Sequence, residues 1–377
     1  MKKIAIDCVS LLSPKTGIGR YAYENAKRLS KFKEYEWRFY YGFFSKKLYG
    51  SENGISKIKS LMTKRSFLKK AAKKSLVLYT KYLYNRKFDL YWQPNYIPDP
   101  VVKSKKCVVS VHDFSFILNP SWHPKERIEF FNDNFFKNIK RADRIITGSH
   151  YSKKEVMEFT GFREDRIEVI YHGVDYEIYK RYPKSVLEEF KKKYALADKF
   201  FLFVGSVEPR KNLSYLIRAY LNLPRFIKDE YKLLIIGFKG WENEEIRNMM
   251  KKEKENIRYM GFLSDRELAL VYNLASLFIY PSLYEGFGLP PLEAMACQTP
   301  VIVSNSTSLP EVCADAALYA DPSDENDLIK KIIDFVNDER MRRDLAQKGY
   351  NRAKLFSWDK ASIKHLEVFE KELKEDL

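Results

Sequence analysis

The sequence predicts an α/β protein that contains two doubly wound parallel sheets. Three observations lead to this fold class. Short apolar runs alternate with segments of helical periodicity along most of the chain, which is the pattern of parallel strands covered by helices. The pattern restarts in the second half after a polar junction, so each half is expected to form its own sheet. The length of 377 residues is sufficient for two domains that each bury a core.

The first half contains six short runs rich in apolar, β-branched and aromatic residues, and each run is predicted to be a strand. These strands are Lys3–Cys8, Glu36–Tyr41, Asp89–Trp92, Cys107–Val111, Asp143–Thr147 and Ile167–Ile170. The segments between them have helical periodicity. Helices are therefore expected around residues 18–32, 56–84, 124–140 and 150–160.

The second half repeats this alternation of strands and helices. Its predicted strands are Phe200–Val204, Lys232–Ile236, Ile257–Met260, Leu277–Tyr280, Val301–Val303 and Ala317–Tyr319. Its helices are expected near residues 212–222, 242–253, 264–274, 290–297 and 324–337, with helical structure from 338 to the end. A polar junction at about 172–198 separates the halves. The expected domains are 1–175 and 196–356, followed by a terminal helix at 357–377.

The excess positive charge lies entirely in the first half. Residues 1–175 hold 35 Lys and Arg against 18 Asp and Glu, whereas residues 176–377 hold 32 of each. Residues 46–87 carry 13 basic side chains against one acid, Glu52, with aromatic and aliphatic residues between them. Such a segment can lie on an anionic membrane surface. A solvated helix face and a nucleic-acid-binding face are the alternatives, although no nucleic-acid-binding module accompanies the segment and no nucleic acid is expected as a partner.

The cysteines and the apolar runs indicate the compartment. Cys8, Cys107, Cys297 and Cys313 are scattered, without C-x-x-C spacing or suitably placed histidines, which predicts reduced thiols rather than disulfides or a zinc site. No run of 18 apolar residues occurs, and the first residues become polar too soon for a signal peptide. The sequence therefore predicts a cytoplasmic protein that does not span a membrane.

The most informative stretch is residues 280–300, which read YPSLYEGFGLPPLEAMACQTP. Two carboxylates, Glu285 and Glu293, lie eight positions apart, with glycines and a proline pair between them. The prolines suit the opening of a helix, whose free N–H groups bind anionic oxygen. Carboxylates beside such a helix end can accept hydroxyl protons. A ligand with both phosphate and hydroxyl groups is a sugar nucleotide, so this stretch predicts a sugar-nucleotide site. The alternative is an ordinary strand–loop–helix turn without a ligand.

Two cations follow the first strand of the second half. Arg210 and Lys211 are expected at the carboxyl end of this strand, where a guanidinium and an ammonium can both contact phosphate oxygens. The pair can neutralise a departing diphosphate without a metal ion, and no convincing D-x-D cluster for Mg²⁺ occurs in the chain. The alternative is two exposed cations before a helix that Asn212 caps. No metal or cofactor is expected beyond the sugar nucleotide itself.

The first half contributes three candidate features. His112, beside Asp113 at the end of a strand, is expected to contact the donor sugar or the reacting oxygen, with a turn histidine as the alternative. Gly17 and Gly19 open a helix in a G-x-G-x-x-A pattern, but no ribose-binding acid follows the second strand, so a dinucleotide site is discounted. Trp122 stands in a loop where its ring can stack on a sugar or anchor the loop.

These motifs resemble the signature of the family 4 retaining glycosyltransferases. Members have the GT-B fold, in which two Rossmann-like doubly wound domains face each other and the last helix crosses back to the first domain. The resemblance covers nearly the whole second half and, in the first half, the opening loop and the His-Asp pair. It implies that the first domain binds the acceptor and that the second binds the nucleotide sugar. His172 replaces an Asn that is usual in the family, so a structural role is expected for it.

The resemblance also implies a role for each candidate residue. Glu285 holds hydroxyls of the donor sugar, Glu293 holds the ribose, and Arg210 and Lys211 stabilise the diphosphate. Further residues line the donor or acceptor through their backbones. These are Gly17, Gly19, Phe262, Gly286, Phe287, Gly288 and Leu289.

The function expected is that of a retaining, metal-independent glycosyltransferase. His112-Asp113-Phe114 and the segment Trp122–Arg127 look similar to bacterial O-antigen mannosyltransferases, so GDP-mannose is the first donor expected, with UDP-linked sugars as the other choice. The acceptor would be a saccharide on a lipid carrier, which suits an enzyme peripheral on the inner face of the cytoplasmic membrane. A nucleotide-sugar epimerase and a non-catalytic nucleic-acid-binding protein are the alternatives.

Overall fold

The computed structural model describes most of the chain. The described ranges are residues 1–12, 17–50, 87–238 and 244–374. The helix predicted at 56–84 and most of the basic segment 46–87 lie outside these ranges. No helix among the described residues is long and apolar enough to cross a membrane.

The chain divides into two compact units. The first unit combines Met1–His172 with Trp358–Leu377, and the second is Gly173–Ser357. The first unit is therefore built from two separate stretches of chain, whereas the second is one continuous stretch.

The described residues form two sheets with thirteen strands in all. The first sheet contains β1 (Lys2–Asp7), β2 (Tyr35–Tyr40), β3 (Phe44–Ser45), β4 (Phe88–Gln93), β5 (Ser104–Ser110), β6 (Arg144–Thr147) and β7 (Ile167–Val169). The second contains β8 (Lys199–Val204), β9 (Tyr231–Ile236), β10 (Ile257–Gly261), β11 (Leu277–Tyr280), β12 (Val301–Ser304) and β13 (Leu318–Ala320).

Fourteen α-helices lie within the described residues. The first unit has α1 (Gly17–Leu29), α2 (Ser115–Leu118), α3 (Lys125–Ile139), α4 (His150–Thr160) and, at the end of the chain, α14 (Trp358–Lys374). The second unit has α5 (Lys184–Lys193), α6 (Leu213–Leu221), α7 (Arg225–Glu230), α8 (Glu244–Lys252), α9 (Asp265–Leu274), α10 (Leu289–Ala296), α11 (Leu309–Cys313), α12 (Glu325–Asn337) and α13 (Glu339–Ala353).

Both sheets have a doubly wound strand order. The first runs β3-β2-β1-β4-β5-β6-β7 and the second runs β10-β9-β8-β11-β12-β13. All pairings are parallel except that of β3 with β2. The central strands are covered on both faces, so they are nearly continuous apolar runs, as in β8 and β11. In such sheets, ligands bind at the carboxyl ends of the strands where the strand order reverses, between β1 and β4 and between β8 and β11.

The last helix, α14, belongs to the first unit and packs against α1. A buried chain of hydrogen bonds joins it to the sheet through Tyr21, whose hydroxyl lies 2.6 Å from His365 Nε2 and 2.8 Å from Ser110 Oγ. His365 Nδ1 lies 2.7 Å from the carbonyl oxygen of Ala361, which can only accept, so Nδ1 carries the proton and Nε2 accepts from Tyr21. Burial lowers the pKa of His365 from 6.5 to about 4, which keeps this ring neutral.

A buried ion pair also joins α14 to the sheet. Arg144, the first residue of β6, donates from Nε to Glu372 Oε1 at 2.5 Å, and the two side chains are 1% and 0% exposed. Arg144 Nη1 donates to the carbonyl oxygen of Asp165 at 2.7 Å. The position of the terminal helix on the first sheet therefore depends on a charge pair that is shielded from water.

The predicted secondary structure is confirmed in its main elements. All twelve predicted strands are present, with ends displaced by at most three residues, and α14 confirms the helix that returns to the first domain. The short elements β3, α2, α7 and α11 were not predicted, because two to six residues are too few to establish a periodicity. Helix α5 lies in the stretch assigned to the junction, where its six charged residues obscure the spacing of the buried Leu187 and Phe190.

Candidate active site

The site in the second unit is formed where β8 and β11, which are neighbours in the sheet, reach their carboxyl ends. A 3₁₀ turn at Pro209–Lys211 follows β8, and the loop 281–288 follows β11 and leads into α10. The two connections contact each other, because Leu283 N donates to the carbonyl oxygen of Arg210 at 2.9 Å. The residues that were singled out in two distant motifs are thereby brought together.

Glu285 lies between the two cations. Lys211 Nζ is 2.5 Å from Glu285 Oε1, and Arg210 Nη1 is 2.9 Å from Glu285 Oε2, so each carboxylate oxygen contacts a different positive charge. Lys211 and Glu285 are 8% and 6% exposed. The cluster is therefore nearly dry, and its electrostatic interactions are stronger than they would be at the protein surface.

The pKa values follow from this arrangement. Burial acts to raise the pKa of Glu285, but the charges of Arg210 and Lys211 outweigh it and lower the pKa from 4.5 to about 2. Burial, reinforced by the neighbouring charge of Arg210, lowers the pKa of Lys211 against the opposing effect of Glu285. Glu285 is consequently ionised at neutral pH, and it is a weak base.

Several residues that the sequence analysis did not single out hold this cluster. Glu208 Oε1 accepts from Arg210 Nη2 at 2.9 Å, and the Tyr280 hydroxyl accepts from Lys211 Nζ at 2.5 Å. Thr307 Oγ1 accepts from the backbone N–H of Glu285 at 3.0 Å. Glu208 is two residues before Arg210, and Tyr280 is the last residue of β11, directly before the loop that contains Glu285. Closeness in sequence to these motifs is therefore the signal by which Glu208 and Tyr280 could have been found.

Helix α10 begins beside this cluster. Gly288 precedes it with φ = +107°, and a Cβ atom there would lie 2.7 Å from Leu309 Cδ2, so the turn favours glycine on both grounds. Pro290 and Pro291 occupy the first turn, as the sequence predicts. The sequence predicts Glu293 in the first helical turn, but it is the fifth residue of the helix, at the start of the second turn, and it is 4% exposed. The Tyr272 hydroxyl lies 3.4 Å from Glu293 Oε2.

An exposed aromatic pair lies at the same edge of the second sheet. Phe262 follows β10 and is 56% exposed, and Phe238 follows β9 and is 41% exposed. Their rings stack with centroids 4.5 Å apart and an interplanar angle of 24°. Phe262, which was predicted to line the ligand through its backbone, is thus on the opposite side of β8 from Glu285. Phe238 was not predicted, since nothing in the sequence indicates that it stacks on Phe262.

His112 lies in the first unit, in the loop after β5. Its Nε2 is 2.8 Å from the carbonyl oxygen of Pro94, so Nε2 donates and Nδ1 of the neutral ring is the acceptor. The rings of Tyr21 and Tyr96 contact the imidazole edge-on, and burial lowers its pKa. Asp113 Oδ1 accepts from the backbone N–H of Ser115 at 3.0 Å.

The remaining candidates in the first unit are placed as follows. Gly17 and Gly19 form the first turn of α1, as predicted. Trp122 ends a short 3₁₀ turn before α3 and is partly buried. His172 is buried against the Tyr21 ring and stacks on Trp358 with centroids 6.0 Å apart.

Comparison with known families defines the class of protein. The model described as Glycosyltransferase Family 4 matches residues 15–178, and the model described as Glycosyl transferases group 1 matches residues 187–352. Together with the relatives below, these matches show that the chain belongs to glycosyltransferase family 4. It is thus an enzyme of a retaining hexosyltransferase family with the GT-B fold, as the sequence predicted. Enzymes of this family bind nucleotide-sugar donors and saccharide acceptors.

Two of the relatives are mannosyltransferases of Escherichia coli. The chain is 32% identical to the O-antigen chain mannosyltransferase B of Escherichia coli, over 94% of this chain and 96% of that protein. It is 34% identical to the serotype-specific mannosyltransferase WbdA of Escherichia coli over 70% of its own length, but it spans only 33% of that longer protein.

A solved structure shows the same fold. The Anabaena protein Alr3699/HepE, crystallised with UDP and glucose, superposes with a TM-score of 0.71 over 98% of this chain and 100% of the other. The two sequences are 16% identical, so this likeness supports the fold alone.

Proposed function

We propose that this enzyme transfers a sugar from a nucleoside-diphosphate donor held by the second unit, and that no metal ion takes part. The observation that carries the proposal is the buried cluster in which Arg210 and Lys211 share Glu285 beside the start of α10. Two fixed cations and the backbone N–H groups of Gly288 and Leu289, the donors that remain at a helix start whose next two residues are prolines, form an anion site. The adjacent carboxylate can accept hydrogen bonds from sugar hydroxyls.

The charges of the cluster suit a diphosphate. Arg210 and Lys211 carry two positive charges, which Glu208 and Glu285 balance in the free protein. Both cations are already fixed, so little reorganisation is needed when negative charge develops on the leaving group. We assign Arg210 and Lys211 to the diphosphate, together with the backbone of Gly286, Phe287, Gly288 and Leu289.

Glu285 suits a binding role better than a nucleophilic one. Both its oxygens contact cations, and its pKa near 2 indicates a poor base. Each oxygen still has a lone pair for a sugar hydroxyl. The proposal is therefore a same-face displacement, in which the bond from the anomeric carbon to the diphosphate breaks while the acceptor oxygen bonds to that carbon. The acceptor proton goes to the departing phosphate oxygen.

The other candidates take matching roles in the proposal. Glu293 holds the ribose diol and Phe262 contacts the nucleobase. His112, whose Nδ1 is an acceptor, binds a sugar hydroxyl, and Gly17 and Gly19 allow close approach of a ligand to the start of α1. In this proposal, the acceptor binds to the domain of residues 1–175, and the donor binds to the domain of residues 196–356.

Mannose from GDP-mannose is the proposed sugar, and the acceptor is a saccharide on a lipid carrier in cell-surface polysaccharide synthesis. The two Escherichia coli relatives are both named mannosyltransferases, which supports this choice. Membership of the family favours transfer over the epimerase and the nucleic-acid-binding protein considered from the sequence.

A donor panel tests the proposal. Purified protein is incubated with GDP-mannose, UDP-glucose and related sugar nucleotides, and release of free GDP or UDP is measured with and without a mannose-containing acceptor. We expect acceptor-dependent release from GDP-mannose with an unchanged donor in the acceptor-free control. Conversion of the donor to an isomer without acceptor would instead support the epimerase. Absence of calorimetric binding to both GDP and UDP would overturn the assignment of the site.

The basic segment 46–87 is proposed to dock on the inner face of the cytoplasmic membrane. We expect sedimentation with vesicles that contain anionic lipid, and we expect it to weaken as salt increases, because counterions screen the attraction. Lys69→Gln with Lys70→Gln should weaken sedimentation, whereas Lys251→Gln with Lys252→Gln, a matched pair at the end of α8, should not. Equal binding to neutral vesicles would contradict this proposal.

A further inference from the structure

Tyr280 contacts the ammonium group of Lys211 through its hydroxyl. Its hydroxyl accepts a hydrogen bond from Lys211 Nζ at 2.5 Å, and the same nitrogen lies 4.9 Å from the centroid of its ring. Tyr280 is fully buried. Glu285 Oε1 provides the other close contact of the ammonium, also at 2.5 Å. A phenol and a carboxylate therefore hold Lys211 from two directions.

This arrangement determines the direction of the remaining N–H group. A lysine ammonium has three donors on a flexible four-carbon stem, and without fixed partners it can rotate freely. Tyr280 and Glu285 take two of the three donors of Lys211. Tyr280 is itself fixed, because it ends β11 and pairs in register with Val303 of β12. The third donor is consequently held in one direction before any ligand arrives.

We infer that Tyr280 is a positioning residue, whose hydroxyl aims the third N–H of Lys211 at the leaving diphosphate. This inference rests on the proposed function, because it takes the diphosphate as the group that Lys211 contacts. Tyr280 does not touch the substrate itself. Tyr280 is expected to contribute in the transition state, because the negative charge on the leaving group is largest there. A misdirected ammonium would stabilise that charge less well.

A purely structural role is the competing explanation. The ring of Tyr280 stacks with Phe278 and Phe203, with centroids 5.7 Å and 6.5 Å apart, so it also fills the core beside β8. These ring contacts do not require the hydroxyl. Tyr280→Phe keeps the ring and removes the hydroxyl, so this variant separates the two roles.

We expect Tyr280→Phe to lower kcat by roughly 10-fold, the size of one hydrogen bond to a charged group, and to leave the donor KM unchanged. The phenol oxygen stabilises the charged ammonium, so its removal lowers the pKa of Lys211 and should shift the alkaline limb of the kcat profile to lower pH. Tyr220→Phe is the matched control, because that buried hydroxyl donates to the carbonyl oxygen of Tyr231 away from the site. It should change neither kcat nor the pH profile.

A double-mutant cycle tests whether Tyr280 acts through Lys211. In a Lys211→Met background, Tyr280→Phe should have no further effect on the single-turnover rate. An equal loss in both backgrounds would show that Tyr280 acts independently and would overturn the inference, as would wild-type kcat in Tyr280→Phe alone. Failure of the unmodified enzyme to bind GDP or UDP would instead overturn the proposed function, so the two failures are distinguishable.

Discussion

Replacement of Lys211 by Ala is expected to lower kcat by roughly 10²–10³-fold, which is the effect of removing one preorganised donor from a buried site. Lys211 is 8% exposed and contacts Glu285 at 2.5 Å, so its charge acts in a region that water hardly screens. In the variant, Arg210 is the remaining side-chain cation of the proposed diphosphate site. Steady-state release of GDP from the donor, measured with saturating acceptor, gives the result.

The control for this prediction is another partly buried lysine of the second unit. Lys228 Nζ donates to the carbonyl oxygen of Leu221 at 2.6 Å, so Lys228→Ala removes a comparable side chain without touching the cluster. It should retain normal kcat. Loss of Lys211 removes one of the two positive charges that contact the buried Glu285 carboxylate, which disfavours the folded state. Thermal unfolding of each variant is therefore measured together with its kcat. A folded Lys211→Ala variant with near-normal turnover would remove Lys211 from the proposed role.

Replacement of Glu372 by Leu is expected to destabilise the first unit by about 3–5 kcal/mol, the usual effect of breaking a buried ion pair. The variant removes the buried carboxylate that the Arg144 guanidinium, which is 1% exposed, contacts at 2.5 Å, and it leaves only the more exposed carboxylate of Glu168, which is 3.2 Å from Arg144 Nη1. Urea unfolding followed by tryptophan fluorescence measures the change. Trp92 and Trp358 are both buried in the first unit, so their emission reports on it.

Two further variants show whether the loss of stability comes from the buried charge of Arg144. Arg144→Met combined with Glu372→Leu should recover much of the lost stability, because apolar side chains of similar size avoid the buried charge. Asp334→Leu breaks an exposed pair with Lys330 on α12, and it should change stability by less than about 1 kcal/mol. If Glu372→Leu unfolds at the same urea concentration as the unmodified protein, the ion pair does not stabilise the first unit.

The strands were predictable because this architecture leaves a strong local signal. Strands buried on both faces are nearly continuous apolar runs, and Leu277–Tyr280 and Val301–Ser304 are buried at every position. The short elements and α5 have no such signal. A six-residue helix such as α7 lacks two full turns, and in α5 charged side chains surround the two buried positions.

The candidate site was predictable as a set of residues but not as a set of contacts. The motifs indicated Arg210, Lys211 and Glu285, because glycine- and proline-rich loops after strands place charged side chains at a sheet edge. The sequence could not show that both cations contact the same carboxylate, since the two motifs are 74 residues apart. Nor could it distinguish Tyr280 from other apolar residues of its strand, because a core tyrosine and one that holds an ammonium have the same local pattern.

The discontinuity of the first unit has a consequence for how the protein is made. A ribosome completes the continuous stretch Gly173–Ser357 before it releases the α14 segment that finishes the earlier unit. Domains usually mature in the order of synthesis, with the N-terminal one first. Here the nascent N-terminal portion must wait, with the surface that later receives Trp358, His365 and Phe369 still uncovered, until the α14 segment has left the ribosome.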